Sequence, residues 1–176
     1  MNEIWSSILG KKEVEQLAIV VFFPRHFKGE KMEPAALLSL DQLNEASLSS
    51  VRLNWSCPRE IADVVVAPAR IRKPNVQTRG IMIAPMKDIE DIVTATGTQA
   101  FTVVADGFRE MPGHAHIGFA QGAPSDRNNQ KILRHDLIET FLHSGGEEAL
   151  HPTDVVCSWI RSARSSHPIS PLHYIS

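Results

Sequence analysis

The most informative segment for the fold is AFTVVADGFREMPGHAHIGFA, residues 100–120. Its two ends, AFTVVAD (100–106) and HAHIGFA (114–120), have the length and apolar content of β-strands. The segment between them, GFREMPG, carries the glycine and proline residues that form turns. These features predict a β-hairpin, in which two neighbouring strands run antiparallel.

Further strand-like segments precede this hairpin. LAIVVFF (17–23) is apolar throughout, which is typical of a buried strand. SVRLNW (50–55) alternates apolar and polar residues, so we expect a half-buried strand with Trp55 on its apolar side. Shorter strands are predicted within IADVVVAPARI (61–71) and at GIMIAP (80–85).

Three helices complete the predicted elements. Residues 3–15 have apolar side chains at helical spacing, and MKDIEDIVTATG (86–97) forms a central short helix that Gly97 would end. The long helix covers residues 127–143, and its buried stripe is Leu133, Leu137 and Phe141. Because strands outnumber helices and neighbouring strands are local, the chain is expected to be α+β, with a mainly antiparallel sheet.

Length and composition fit one globular domain. The chain has 176 residues, 43% apolar residues and a formal net charge of −2, so bulk attraction to nucleic acid or an anionic membrane is not expected. We expect the domain to cover residues 1–160, followed at 161–176 by either a flexible tail or an extended arm that packs on a protein partner. No apolar run approaches the roughly 20 residues of a membrane span. With no secretory signal pattern at the N-terminus, a cytoplasmic protein is expected.

His114 and His116 are the most conspicuous pair of polar residues. Residues i and i+2 of a strand share a face, which would turn Ala115 and Ile117 toward the core. Two imidazoles form half of a zinc or iron site, but the neighbouring sequence supplies no third ligand. The pattern therefore favours two polar side chains on the wet face of an edge strand, and no metal or cofactor is expected. A metal-dependent hydrolase that uses His114 and His116 is kept as an alternative.

A second set of possible ligands lies on the long helix. His135, Glu139 and His143 follow one another at intervals of four residues and share one helix face. That face is almost opposite the apolar stripe, so these side chains are expected to face water.

Polar residues near the ends of three strands suggest another site. Arg25 and His26 follow the buried strand directly, and Arg52 projects beside Ser50 from the polar side of its own strand. If these strands neighbour the HAHI strand, six side chains would form one cluster suited to phosphate binding and acid–base catalysis without metal. The expected catalytic residues are Arg25, His26, Arg52 and His114, and the expected ligand-binding residues are Ser50 and His116. The alternative is that Arg25 and Arg52 pair with acids such as Glu30 or Asp106.

The order of these motifs, RHF, then LSSVR, then a Pro-preceded HAHI, resembles a diffuse family of short bacterial proteins without a settled activity. The resemblance covers residues 24–120 and implies a protein found near toxin–antitoxin or defence-like genes. It marks the same arginine, serine and histidine positions and leaves His116 at a variable one. We expect a small bacterial effector or accessory protein that binds or acts on a nucleotide or nucleic-acid phosphate. The alternative is a non-catalytic adaptor or immunity subunit.

Overall fold

An antiparallel sheet of six strands forms the centre of the fold in a computed structural model, which describes residues 15–23, 25–53, 55, 77–107, 112–144 and 150–152. The described strands are β1 (Gln16–Phe23), β2 (Phe27–Lys28), β3 (Lys31–Met32), β4 (Leu48–Arg52), β5 (Gln77–Pro85), β6 (Phe101–Ala105), β7 (His114–Phe119) and β8 (His151–Pro152). Their order in the sheet is β6-β7-β4-β1-β5-β8, and β2 pairs with β3 in a separate small hairpin. The predicted α+β class with an antiparallel sheet is confirmed.

The described helices are α1 (Pro34–Leu37), α2 (Leu40–Asn44), α3 (Met86–Glu90) and α4 (Arg127–Ser144). The long helix α4 matches its predicted bounds within one residue, and its predicted stripe is buried: Leu133, Leu137 and Phe141. These side chains share one core cluster with Leu17 and Ile19 of β1, so α4 covers the face of the sheet that carries them. None of the described helices is long and apolar enough to cross a membrane.

The register of the strands assigns each side chain to one of two sheet faces. Leu48 pairs with Ile117, and both belong to the core cluster under α4. The next pair along the ladder, Ser49 and His116, must then lie on the opposite face, because successive side chains of a strand alternate. The side chains of Ser49 and His116 therefore lie on the sheet face that points away from α4.

The β6–β7 hairpin is present as predicted, with Phe101 opposite Phe119 and Ala105 opposite Ala115. Its second strand is not an edge strand, however, because β7 lies between β6 and β4. The prediction of a wet edge strand is wrong in that respect.

The backbone approaches closely at Gly118 of β7. An added Cβ there would lie only 2.5 Å from Cα of Ala46, so glycine is required at this position.

Two local predictions are wrong. The central helix ends at Glu90, because the hydroxyl of Thr94 accepts a hydrogen bond from the backbone N–H of Thr98 (3.3 Å) and closes a turn instead. Gly97 adopts a positive φ of 78° within that turn. Trp55 is exposed, and it lies beyond the end of β4.

Several predictions fall on parts of the chain outside the described residues. These are the N-terminal helix apart from its last residue, the strand within residues 61–71, and the arm at residues 161–176.

Candidate metal centre

The hairpin brings Asp106 to the two histidines. In the β6–β7 ladder Val104 faces His116 and Ala105 faces Ala115. The next position places Asp106 opposite His114, and the Asp106 backbone N–H donates to the His114 carbonyl (3.3 Å). Facing residues of an antiparallel pair share a sheet face, so one carboxylate and two imidazoles lie together on the face away from α4.

One carboxylate contacts both rings. Oδ1 of Asp106 lies 2.7 Å from Nδ1 of His114, and Oδ2 lies 2.8 Å from Nε2 of His116. The two imidazole rings meet edge to face, with centroids 4.7 Å apart and planes at 88°. Asp106, His114 and His116 are called the HHD cluster below.

Ser49 of β4 contacts the same cluster from the other side. Its Oγ lies 2.9 Å from Nε2 of His114, the ring nitrogen that does not face Asp106. Ser49 is exposed, and its place is fixed by the β4–β7 ladder, in which it faces His116. Both ring nitrogens of His114 therefore have a polar neighbour in this arrangement.

The solvent exposure of the side chains increases across the HHD cluster. The side chain of His114 is 14% exposed, that of His116 is 28% exposed and that of Asp106 is 40% exposed. Nδ1 of His116 is buried and has no hydrogen-bond partner among the described residues. The histidines are thus held against the sheet, while the carboxylate is open to solvent.

This donor set is one that transition metals bind. Two imidazole nitrogens and a carboxylate occur in catalytic zinc sites and in non-haem iron sites. The donor atoms of the HHD cluster lie within 4.8 Å of one another. Ligands at about 2.1 Å from one tetrahedral ion are about 3.4 Å apart, so small side-chain rotations would bring them into range. Asp106 is a third candidate donor, which the neighbouring sequence did not reveal.

Arg52 and Ser50 lie away from the HHD cluster. Arg52 pairs with Leu17 in the sheet, so its side chain emerges on the α4 face. It forms an ion pair with Glu15 and lies over the ring of Trp55, 5.1 Å from the ring centroid. Ser50 is buried, and its Oγ donates to the Ala115 carbonyl (3.0 Å). The serine that contacts a histidine is Ser49 instead.

His26 stabilises the turn after β1. Its backbone N–H donates to the Phe22 carbonyl (2.9 Å), and its Nδ1 accepts from the Phe22 N–H (3.1 Å). Burial of the ring, helped by the neighbouring positive charge of Arg25, lowers the pKa of His26 to about 4. The side chain is therefore a neutral, structural histidine near pH 7.

The six residues predicted to form one polar cluster do not assemble. Arg25 and His26 follow the far end of β1, and Phe22 is roughly 16 Å along that strand from Leu17, at about 3.3 Å per residue. Arg52 lies beside Leu17, and His114 lies on the opposite sheet face. The prediction that these residues form one cluster is therefore wrong. Catalytic roles for Arg25, His26, Ser50 and Arg52 stay predictions, and these residues do not share a site with His114.

The histidines of α4 face water, as predicted. His135 and His143 are exposed, and each approaches a carboxylate oxygen of Glu139, at 3.9 and 3.3 Å. They form a surface group of the same chemical type as the HHD cluster, without its anchoring in a sheet.

No family model, no curated protein and no solved structure matched the chain. The resemblance to a diffuse bacterial family therefore stays a prediction.

Proposed function

We propose that the protein binds a divalent transition-metal ion through Asp106, His114 and His116 and acts as a metal-dependent hydrolase. The observation that carries the proposal is that one carboxylate contacts an imidazole nitrogen of each histidine on the sheet face that points away from α4. Zinc, iron and manganese are the candidate ions, because imidazole and carboxylate ligands suit them.

Among the described residues the cluster offers three ligands, a number that favours catalysis over a purely structural ion. Structural zinc sites are closed by four protein ligands, whereas catalytic sites keep a position for water. An ion held by Asp106, His114 and His116 would lower the pKa of a water at that position toward about 7 and so supply hydroxide at neutral pH. The 40% exposure of the Asp106 side chain allows water and substrate to reach this position.

His116 is expected to be the weakest of the three ligands. If its Nε2 binds the ion, the ring hydrogen is on Nδ1, which is buried and lacks a hydrogen-bond acceptor among the described residues. A buried donor without an acceptor costs about 1–3 kcal/mol. That cost lowers metal affinity by roughly tenfold to a hundredfold relative to a fully supported ligand.

Phosphate esters, including those of nucleotides or nucleic acids, are the substrate class that we propose. A metal ion polarises a phosphoryl oxygen as well as activating water, so the HHD cluster can serve this class without the arginines first assigned to it. A non-catalytic adaptor role would depend on the arm at residues 161–176, which lies outside the described residues, and stays a prediction.

Metal binding is the first test. Protein stripped with a chelator should bind about one Zn²⁺ per chain in calorimetry and in elemental analysis of the dialysed complex. Asp106→Ala and His114→Ala should each abolish this binding, since each removes a donor atom. His143→Ala is the matched control and should bind as wild type, because its ring lies on the exposed face of α4.

Hydrolysis is the second test, on metal-loaded protein with bis(p-nitrophenyl) phosphate and p-nitrophenyl acetate. Metal-dependent release of p-nitrophenol from the phosphate diester, lost in His114→Ala, is expected. Binding that neither Asp106→Ala nor His114→Ala weakens would overturn the metal site. Stoichiometric binding without turnover of either compound would overturn the hydrolase and leave a metal-binding protein.

A further inference from the structure

We infer that Ser49 is a positioning residue that holds the His114 ring with Nδ1 toward the metal and accepts the hydrogen on Nε2 once the metal binds. The inference rests on the proposed metal site and identifies which ring nitrogen is the ligand. It also assigns a task to Ser49, which the sequence pattern did not single out.

The geometry decides between the two nitrogens of His114. Nδ1 lies 2.7 Å from Asp106, whereas Nε2 lies 2.9 Å from Ser49. The two ring nitrogens point in divergent directions, so an ion shared with Asp106 meets Nδ1. Nε2 faces Ser49 of β4 instead.

A neutral imidazole carries one N–H hydrogen, so the nitrogen without it can accept a hydrogen bond or bind a metal. Without metal, Nδ1–H donates to the Asp106 carboxylate, and Nε2 accepts from the Ser49 hydroxyl. With metal on Nδ1, the hydrogen must be on Nε2 and donates to Ser49 Oγ. Ser49 thus changes from donor to acceptor when the metal binds, and a hydroxyl can do both by rotating.

Such support for the remote nitrogen of a ligating histidine fixes the ring orientation and raises its affinity for metal. The fixed register of β4 against β7 keeps Ser49 beside the ring. His116 has no comparable support at its buried Nδ1 among the described residues. The two histidines are therefore unequal, and His114 is expected to be the stronger ligand.

The chain offers matched substitutions for a test. Ser49→Ala removes the hydroxyl from an exposed position, so the fold should be preserved. Ser49→Thr keeps the hydroxyl and suits a strand. Ser50→Ala is the control, because it removes the neighbouring cross-strand hydrogen bond to Ala115 on the other sheet face.

Zinc titrations of the four proteins should separate them. Ser49→Ala is expected to bind Zn²⁺ about 10- to 100-fold more weakly than wild type, the usual loss for such a supporting residue. Ser49→Thr and Ser50→Ala should bind like wild type. Nitrogen NMR of histidine-labelled wild type should show the Nδ1–H tautomer of His114 without zinc and metal on Nδ1, with hydrogen on Nε2, after zinc is added.

The outcomes distinguish this inference from the metal site itself. If wild type binds zinc and Ser49→Ala binds it equally well, or if zinc is found on Nε2 of His114, the role of Ser49 is overturned and the metal site stands. If wild type binds no zinc, iron or manganese, both fail. Weaker binding by Ser50→Ala to the same degree as Ser49→Ala would also overturn the inference, since a general loosening of β4 would explain it.

Discussion

At the scale of single residues, Asp106 determines what the two histidines can bind. The sequence predicted that His114 and His116 share a sheet face, and the burial of Ala115 and Ile117 confirms the alternation. It did not predict the third donor, because a slip of one residue in the hairpin register would move Asp106 to the other face. The loop between the strands is too long for its length alone to fix that register.

The surroundings of Arg52 were also only partly predictable from the sequence. Arg52 was expected either in an anion site or paired with an acid, and it forms an ion pair with Glu15. Alternation along SVRLNW identified one face holding Ser50 and Arg52. The pattern could not show that this face points toward α4. A polar side chain near the end of a strand can lie on the core face of a sheet and still reach solvent.

Titration of His26 provides a prediction at this scale. Its pKa falls from 6.5 in the unfolded chain to about 4 in the fold, so between these values the unfolded chain binds more protons. Stability must therefore fall as the pH decreases through this window. Between pH 7 and pH 5 we expect His26 to account for a loss of roughly 2 kcal/mol in unfolding free energy.

Urea unfolding of wild type and His26→Gln at pH 7, 6 and 5 measures how much His26 contributes to the pH dependence of the unfolding free energy. Glutamine removes the titrating ring and keeps an oxygen that can accept from the Phe22 N–H. The variant should be less stable than wild type at pH 7, with a shallower decline toward pH 5. Parallel pH profiles for the two proteins would contradict the assignment to His26.

At the scale of secondary structure, long periodic segments were predictable and short ones were not. The helix α4 agrees with its sequence pattern because a stripe repeated over several turns has one consistent solution. The shorter α3 ends early, where Ile92, Val93 and Thr94 follow in the chain. β-Branched side chains weaken a helix, and threonine hydroxyls offer the backbone other hydrogen bonds.

The burial of α4 predicts unequal effects of two neighbouring substitutions. Leu137 is fully buried in the core cluster, so Leu137→Ala should destabilise the protein by about 2–5 kcal/mol. Ile132 lies on the same helix but is exposed, and Ile132→Ala should change stability by less than about 0.5 kcal/mol. Denaturant unfolding at pH 7 measures both. Comparable losses would mean that α4 packs through a different face.

At the scale of the whole molecule, the site depends on contacts that the sequence does not reveal. The hairpin that carries the HHD cluster is local, and its existence was predicted. Ser49 reaches His114 across 65 positions of the chain, through pairing of β4 with β7. Patterns of local periodicity identify strands but not which distant strands pair, so the order β6-β7-β4-β1-β5-β8 was not predictable.

Because the metal would join two strands of the sheet, its binding should stabilise the entire fold. An ion that binds only the folded chain at 100 times its Kd adds about 2.7 kcal/mol to the unfolding free energy. For a domain of this length, that corresponds to a rise in Tm of roughly 5–10 °C. Scanning calorimetry of chelator-treated protein, with and without Zn²⁺, measures the shift. Mg²⁺ should give little, because it prefers oxygen ligands.

Variants of the two histidine groups decide where the stabilising ion binds. His116→Ala should lose most of the zinc-dependent rise in Tm, because only Asp106 and His114 would remain as ligands in the HHD cluster. His143→Ala should keep it in full, since its ring lies on the exposed face of α4. An equal rise in both variants would place the ion outside the HHD cluster. A selective loss in His116→Ala would show that even the weakest of the three ligands contributes to the stability of the metal-bound sheet.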